Sequence, residues 1–263
     1  MGELTITPLG TNGFFPTYGR QTMSYLVRRD GVPLLLDAGT GVGRLLEQGT
    51  SRLLDGVARL DILLSHYHLD HVVGLSYLTA VAAKLPVRIW APAPPLVDGD
   101  QRALGALIGP PLFPIEFCEF PSQVEVVPYT GETLQIDDFR LRLRRQSHAG
   151  GSVGVVIDER LAYMTDTEVD VGSADFARGV ELLLHEVWVT DEEAQRGAQR
   201  RGHSTVEEVA ALARAAGVGS LMPVHHHPTR TPAALEVVIG CLRELAGVPV
   251  VAPVEAREHA LRA

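Results

Sequence analysis

Short apolar segments of strand length recur along this chain, and most are rich in valine, isoleucine and leucine. They include MSYLV, VPLLLD, LDILLS, VRIWAP, FRLRLRR, VGVVID, LAYMTD, VELLLHE, SLMPVH and VPVVAP. Segments with helical periodicity lie between several of them, such as VVGLSYLTAVAAKL and STVEEVAALARAAG. Strands that lack polar alternation are typically buried on both faces, so the pattern predicts an α/β protein with largely buried sheets.

The second helical segment carries its own start and stop signals. Ser204 or Thr205, followed by Glu207 or Glu208, predicts a capped beginning. Gly217 predicts the end of this helix, because glycine readily adopts the left-handed conformation found there.

Residues 85–121 interrupt the alternation of strands and helices. This stretch holds eight of the 17 prolines, in sequences such as APAPP and GPPLFP. We interpret it as an irregular excursion or a cap rather than a linker, because apolar residues accompany the prolines: Leu107, Ile108, Leu112 and Phe113. The sequence shows no repeat, and we expect a single domain over residues 1–263.

Composition narrows the class of protein. With 263 residues, 46% hydrophobic and 21% charged, the chain has enough apolar material for a large core. The start MGELTITPLG predicts no signal peptide, and the lack of any run of about 18 apolar residues predicts no membrane span, so we expect a cytoplasmic location. Cys118 and Cys241 have no CxxC spacing, which disfavours a thiolate zinc site.

The formal net charge of −9 argues against extended nucleic-acid binding, which normally needs a basic face. It is compatible with a small anionic substrate, because bound divalent cations reverse the sign of the local charge.

Histidines and acidic residues follow the predicted strands. The ends of strands on one side of an α/β sheet are where ligand sites form. The residues in such positions are Asp37, His66, His148, Asp166, His185, Glu186 and His225.

The segment SHYHLDH, at residues 65–71, has the highest density of potential metal ligands in the chain. His66 and His68 are two residues apart, so both rings point the same way in an extended segment. Asp70 and His71 follow where the chain turns into a helix. Two pairs facing different directions suit two neighbouring metals better than one tetrahedral metal.

Each metal then needs ligands from elsewhere in the chain. The candidates are His148, Asp166 and His225, and a carboxylate such as Asp166 can bridge two metals. The run of three histidines leaves His226 and His227 open as alternatives to His225.

The segment HYHLDH resembles the HxHxDH motif of the metallo-β-lactamase fold hydrolases, and His148, Asp166 and His225 follow in the order of that family. The resemblance implies an αββα sandwich of two mixed β-sheets flanked by helices, covering essentially the whole chain. It assigns His66, His68 and His148 to one zinc, Asp70, His71 and His225 to the other, and Asp166 to the bridge.

Further motifs resemble the ribonuclease Z and phosphodiesterase branch of this family. They are the opening TPLGTNGFFPTYGRQTMSYLV, the segment LLLDAGTG, and HE and GHST, which resemble the HEAT and HST motifs. The resemblance implies that Glu186 and His203 form a relay near the metals. We name Asp70, Glu186 and His203 as the candidate catalytic residues.

One feature separates this chain from the ribonuclease Z enzymes that process tRNA precursors, which carry a long tRNA-gripping arm between the third and fourth metal motifs. Here only 17 residues, 149–165, separate His148 from Asp166. That leaves no room for the arm and favours a smaller phosphodiester.

We therefore expect a dinuclear metal-dependent phosphodiesterase acting on a small or cyclic nucleotide-like diester. Two divalent cations would lower the pKa of a shared water and so supply a hydroxide to attack phosphorus. His203, oriented by Glu186, would protonate the leaving alkoxide. Zinc is the first choice of metal, although manganese and iron also accept such ligands.

Two other functions fit the same residues. One is hydrolysis of a lactone, thioester or β-lactam, which has less need of the Glu186 and His203 pair. The other is a metal-binding protein without turnover. The family resemblance also suggests a homodimer.

Overall fold

The computed structural model describes residues 2–261. In chain order its strands are β1 (Leu4–Gly10), β2 (Ser24–Arg29), β3 (Val32–Leu36), β4 (Leu60–Leu63), β5 (Val87–Pro92), β6 (Val124–Tyr129), β7 (Thr133–Ile136), β8 (Phe139–Gln146), β9 (Ser152–Ile157), β10 (Leu161–Met164), β11 (Leu182–Glu186), β12 (Leu221–Val224) and β13 (His259–Leu261).

The α-helices are α1 (Leu69–Val72), α2 (Leu78–Val81), α3 (Arg102–Leu107), α4 (Ser173–Phe176), α5 (Asp191–Gln195), α6 (Val206–Ala216) and α7 (Pro232–Leu245). Short 3₁₀ helices cover Thr40–Leu46, Ser51–Leu54, Val73–Tyr77 and Phe117–Glu119. Within residues 2–261, no helix is long and apolar enough to cross a membrane.

The chain forms two compact units. Unit 1 is Met1–Thr130 with Val254–Ala263, and unit 2 is Gly131–Pro253. Each unit contains one mixed sheet with helices, so the predicted α/β class with two mixed sheets is confirmed. The single domain expected over residues 1–263 stays a prediction.

The sheet of unit 1 has the strand order β13-β1-β2-β3-β4-β5-β6. Strands β3 to β6 are parallel, whereas β1 is antiparallel to both β13 and β2. Buried Leu35, Ile62 and Ile89 pack in one core with Leu75 and Leu78. Because β3 and β4 are parallel, Asp37 and the segment 65–71 follow at the same edge of the sheet.

The sheet of unit 2 has the strand order β12-β11-β10-β9-β8-β7. Two successive antiparallel pairings make β8 run in the direction of β10, and β10, β11 and β12 are mutually parallel. The carboxyl ends of four strands therefore meet at one edge. The residues at those ends are His148, Asp166, Glu186 and His225.

Helix α6 forms as predicted. The Thr205 hydroxyl accepts a hydrogen bond from the Glu208 amide, and the Glu208 carboxylate accepts one from the Thr205 amide. Gly217 ends the helix in the left-handed conformation, with φ 62°. The apolar face of α6 packs Val209 and Ala213 into the core of unit 2.

The helical segment predicted after His71 is not continuous. It divides into α1, a 3₁₀ turn and α2. Gly74 lies against the turn that follows β3, where its amide donates to the Ala38 carbonyl at 2.7 Å. A Cβ at Gly74 would lie 2.0 Å from the Gly39 carbonyl oxygen, so this close approach fixes the local path of the chain.

The segment VPVVAP was predicted as a strand, and this prediction is wrong. Val250 forms an isolated bridge with Leu221, but residues 248–253, all of which the structure describes, form no strand. Pro249 and Pro253 lack the amide hydrogens that a ladder requires.

The proline-rich stretch 85–121 belongs to unit 1 and contains β5 and α3. Its residues Leu104, Ile108 and Phe120 are buried in the core of that unit. Leu107 and Phe113 pack against this core, whereas Leu112 is 74% exposed.

Candidate metal centre

Four predicted ligands lie together in unit 1, directly after β4. The ring centroids of His66 and His68 are 4.6 Å apart, and those of His66 and His71 are 4.2 Å apart. An Asp70 carboxylate oxygen lies 3.5 Å from Nε2 of His71. His68 is exposed, whereas the other three are buried. The segment SHYHLDH thus gathers its imidazole and carboxylate groups into one cluster.

Asp37 orients two of these histidines. One of its carboxylate oxygens accepts from Nδ1 of His71 at 2.8 Å and from the Ser65 hydroxyl at 2.8 Å. The Ser65 oxygen in turn lies 3.0 Å from Nδ1 of His66 and accepts its hydrogen. Both imidazoles therefore present Nε2 with a lone pair, the form in which histidine binds a metal.

Asp37→Asn should weaken both the fold and metal binding. The asparagine side chain keeps an oxygen that can accept from the Ser65 backbone amide. Its NH₂ group replaces the oxygen that accepts from the Ser65 hydroxyl and from His71, so those two bonds are disturbed. We expect the free energy of unfolding to fall by about 1–3 kcal/mol. Metal affinity should fall about 10- to 100-fold, as for other groups that orient a metal ligand. Urea denaturation and calorimetric metal titration measure the two effects, and an unchanged affinity would contradict this role of Asp37.

Asp166 lies at the centre of the predicted ligands in unit 2. Its Oδ1 lies 3.5 Å from Nε2 of His148 and 3.2 Å from Nε2 of His225. Its Oδ2 accepts from the Thr165 hydroxyl at 2.7 Å. Nδ1 of His148 donates to the Gly202 carbonyl at 3.1 Å, so its Nε2 also presents a lone pair.

Two of these predicted ligands have left-handed backbone conformations, with φ 48° at Asp166 and φ 50° at His225. Asp37 in unit 1 has φ 57°. Such conformations are uncommon outside glycine and cluster at functional sites. Each turns the chain sharply just after a strand, which directs the side chain to the edge of the sheet.

The three consecutive histidines differ in their surroundings. His225 approaches Asp166, whereas His227 is half-buried and its Nδ1 accepts from the Thr229 hydroxyl at 2.9 Å. His226 is buried. The geometry favours His225 among the alternatives that the sequence left open.

Glu186 and His203 form a buried pair in unit 2. Nδ1 of His203 lies 2.9 and 3.0 Å from the two carboxylate oxygens of Glu186. The Thr167 amide also donates to this carboxylate, at 2.5 Å. Burial raises the pKa of Glu186, and this amide acts in the opposite direction. His203 belongs to a group with Asp166 and His225 whose potential ligand atoms all lie within 4.8 Å of one another.

The side chain of Trp188 was not singled out by the sequence. Its ring stacks on His203 with centroids 4.4 Å apart and 19° between the planes, and on His225 at 5.3 Å and 29°. Trp188 lies two positions after Glu186 of the HE motif, but a single tryptophan carries no pattern that predicts such a contact. The stacking restricts the rotation of both imidazoles.

His185 stands apart from these groups. It is fully buried in β11, and its Nδ1 donates to the Glu186 carbonyl oxygen at 2.8 Å. Burial lowers the pKa of His185 to about 4, which keeps the ring neutral. These contacts give it a packing role.

Comparison with known proteins identifies the family. A family model described as the beta-lactamase superfamily domain matches residues 33–226. The chain belongs to this superfamily. Ribonuclease Z of Mycobacterium marinum is 31% identical over 246 residues, covering 86% of this chain and 87% of that protein. The chain is therefore a metal-dependent hydrolase, as the sequence predicted.

Solved structures show the same fold. The metallo-beta-lactamase fold protein YhfI from Bacillus subtilis has a TM-score of 0.74 and 19% identity, covering 98% of this chain and 99% of that chain. A diphosphatase from the PhnP family has a TM-score of 0.70 and 18% identity, covering 97% of each chain. The predicted metallo-β-lactamase fold is confirmed.

The donor groups of both units fit the divalent metal that the superfamily implies. They are imidazole nitrogens and carboxylate oxygens, which suit zinc, manganese or iron. Burial lowers the pKa of His148, which favours the neutral imidazole that binds a metal. Hydrogen bonds at Nδ1 leave Nε2 of His66, His71 and His148 to act as ligand atoms.

Proposed function

We propose that this hydrolase is a dinuclear metal-dependent phosphodiesterase acting on a small or cyclic nucleotide-like diester. The observation that carries the proposal is the Glu186 and His203 pair beside Asp166. A diester releases an alkoxide, which leaves poorly unless it is protonated, and a histidine oriented by a carboxylate can supply that proton. Similarity to a ribonuclease Z, whose name denotes RNA cleavage, supports a phosphodiester substrate.

Seven residues would hold the metals in this proposal: His66, His68, Asp70, His71, His148, Asp166 and His225. The assignment follows the family motif and is supported by the ligand clusters within each unit. Bound divalent ions lower the pKa of water toward neutrality and stabilise negative charge on phosphoryl oxygens. Zinc is the preferred metal of the proposal.

The protein's own groups have distinct tasks. Glu186 holds Nδ1–H of His203, which leaves Nε2 of His203 as the nitrogen that can carry a second proton, and His203 belongs to the group that contains Asp166 and His225. When His203 is protonated, Nε2 carries the hydrogen that passes to the leaving oxygen. The stacked Trp188 ring keeps the imidazole in this orientation.

The length of one connection supports a small substrate. Residues 149–165, between two predicted ligands, form β9, a turn at residues 158–160, and β10. This segment is a plain antiparallel hairpin with Leu161 opposite Ile157. It carries no arm that could grip an extended RNA. The homodimer suggested by the family stays a prediction.

The proposal is tested by steady-state hydrolysis of bis(p-nitrophenyl) phosphate. Protein loaded with zinc or manganese should turn this diester over and bind two equivalents of metal. Protein stripped of metal by a chelator should lose the activity, and added metal should restore it. Without the metal, no group in the site lowers the pKa of water enough to supply hydroxide at neutral pH. Fully metallated protein that hydrolyses lactones or thioesters but not diesters would contradict the proposal and establish the alternative activity.

A further inference from the structure

Glu255 joins three segments of unit 1 that are distant in sequence. Only 8% of its side chain is exposed. Its Oε1 accepts from the Thr11 amide, the Thr11 hydroxyl and the Gln21 amide, each at 3.0 Å. Thr11 and Gln21 are the two ends of a loop that we call the 11–21 loop. Glu255 therefore closes the base of this loop, together with the backbone bond from the Thr11 amide to the Gln21 carbonyl at 2.9 Å.

Arg44 completes the arrangement. Its Nε and Nη2 lie 2.7 and 2.6 Å from Oε2 of Glu255. Nη2 also donates to the Gly19 carbonyl at 2.7 Å, inside the 11–21 loop. A buried carboxylate is costly unless it is paired and hydrogen-bonded, and this one is both. Charge and hydrogen bonding thus fix the loop from two sides.

The tip of the 11–21 loop contacts Asp70. The Phe14 amide donates to Oδ2 of Asp70 at 2.6 Å. Phe14 has φ 65°, a left-handed conformation that is unfavourable for a bulky residue and persists only where the surroundings impose it. Its side chain is 72% exposed, so packing of the ring does not hold it there. The constraint comes from the backbone of the loop.

We propose that Glu255 is a positioning residue that acts through the 11–21 loop on Asp70. By fixing the base of the loop, it holds the Phe14 amide against one carboxylate oxygen of Asp70 and so sets the orientation of that carboxylate. The inference rests on the proposed function for the catalytic consequence, because there Asp70 is a metal ligand and a catalytic residue. The mechanical link from Glu255 to Asp70 depends only on contacts within unit 1.

Glu255→Gln tests the proposal, because the amide has nearly the same shape but loses the charge that pairs with Arg44. The matched control is Asp61→Asn. Asp61 is a buried carboxylate of the same unit that accepts from Arg59 and from the Trp90 indole, each at 2.8 Å. It lies on β4, outside the 11–21 loop. Both variants remove a buried charge, whereas only the first loosens the loop.

Three readouts separate positioning from simple stability. Amide hydrogen exchange in a peptide containing Phe14 should accelerate about tenfold in Glu255→Gln, as expected for loss of a hydrogen bond to a charged group. Zinc affinity should fall about 10- to 100-fold, as for other groups that orient a ligand. In diester hydrolysis, kcat should fall while KM stays unchanged. Asp61→Asn should alter none of the three, although its unfolding midpoint falls.

Two results would overturn the proposal. One is a Glu255→Gln protein that resembles Asp61→Asn in exchange and zinc affinity. The other is accelerated exchange with unchanged zinc affinity, which would mean that the loop does not orient Asp70.

If Glu255→Gln does not fold, Thr11→Val replaces it, because it removes one hydrogen bond from the carboxylate and preserves side-chain volume. In Thr11→Val we expect a smaller acceleration of exchange at Phe14 and a smaller loss of zinc affinity. If Thr11→Val had the exchange rate and zinc affinity of the wild type, the proposal would be overturned. Wild-type protein without diesterase activity would contradict the proposed function, whereas exchange and zinc affinity would still decide the link from Glu255 to Asp70.

Discussion

Asp166→Ala should lower metal-dependent hydrolysis of bis(p-nitrophenyl) phosphate by at least about a thousandfold, equivalent to about 4 kcal/mol of transition-state stabilisation. Asp166 Oδ1 lies within 3.5 Å of Nε2 of His148 and 3.2 Å of Nε2 of His225, so alanine removes the carboxylate that lies between these two imidazoles. In the proposed assignment this carboxylate bridges the metals, and metal content should fall with the rate. Steady-state kinetics and elemental analysis of the purified variant measure the two effects.

Asp158→Ala is the matched control. Asp158 is also a buried aspartate with a left-handed backbone, at φ 53°. It precedes β10, whereas Asp166 follows it, so the two lie at opposite ends of one short strand. Asp158→Ala should retain the metal and the wild-type rate. If Asp166→Ala kept full metal content and rate, the ligand assignment would be wrong.

His203→Ala should slow hydrolysis of an alkyl diester, such as a cyclic nucleotide, by about 10²- to 10⁴-fold. The loss on bis(p-nitrophenyl) phosphate should be less than about tenfold, because p-nitrophenolate leaves without a proton. Glu186→Gln should show the same selectivity with a smaller loss of about 10- to 100-fold, since it disturbs only the group that orients the imidazole. The ratio of the two rates is the quantity to measure.

His227→Ala is the control for this experiment. The His227 ring contacts the same Trp188 ring, with centroids 4.4 Å apart, but its Nδ1 is bonded to Thr229 rather than to a buried carboxylate. His227→Ala should hydrolyse both substrates at rates close to those of the wild type. Equal losses on the two substrates in His203→Ala would exclude the role of His203 as the acid.

The sequence was sufficient to predict the strands that precede the candidate ligands, because histidine or aspartate follows each of these strand-length segments. Parallel pairing of β10, β11 and β12 then brings residues from distant segments to one edge. The cap of α6 was also predictable, since Thr205 and Glu208 stand at the spacing that reciprocal capping requires.

Other parts of the site depend on contacts that no local pattern encodes. The bonds from Glu255 to Thr11 and Gln21 join residues more than two hundred positions apart, as separations of 244 and 234 show. The stacking of Trp188 on His203 likewise depends on how two loops pack. The segment VPVVAP was misassigned because hydrophobicity outweighed its prolines in the prediction.

The two ends of the β9–β10 hairpin differ in how an insertion there would affect the site. Ala149 and Gly150 are exposed and directly follow His148, at the edge where the strand ends meet, whereas the turn at residues 158–160 lies at the opposite edge. Exposed loop positions tolerate insertions. Residues grafted after His148 would emerge beside the candidate catalytic groups and could change which substrates are bound, whereas the same insert at Glu159 would lie at the opposite end of the hairpin.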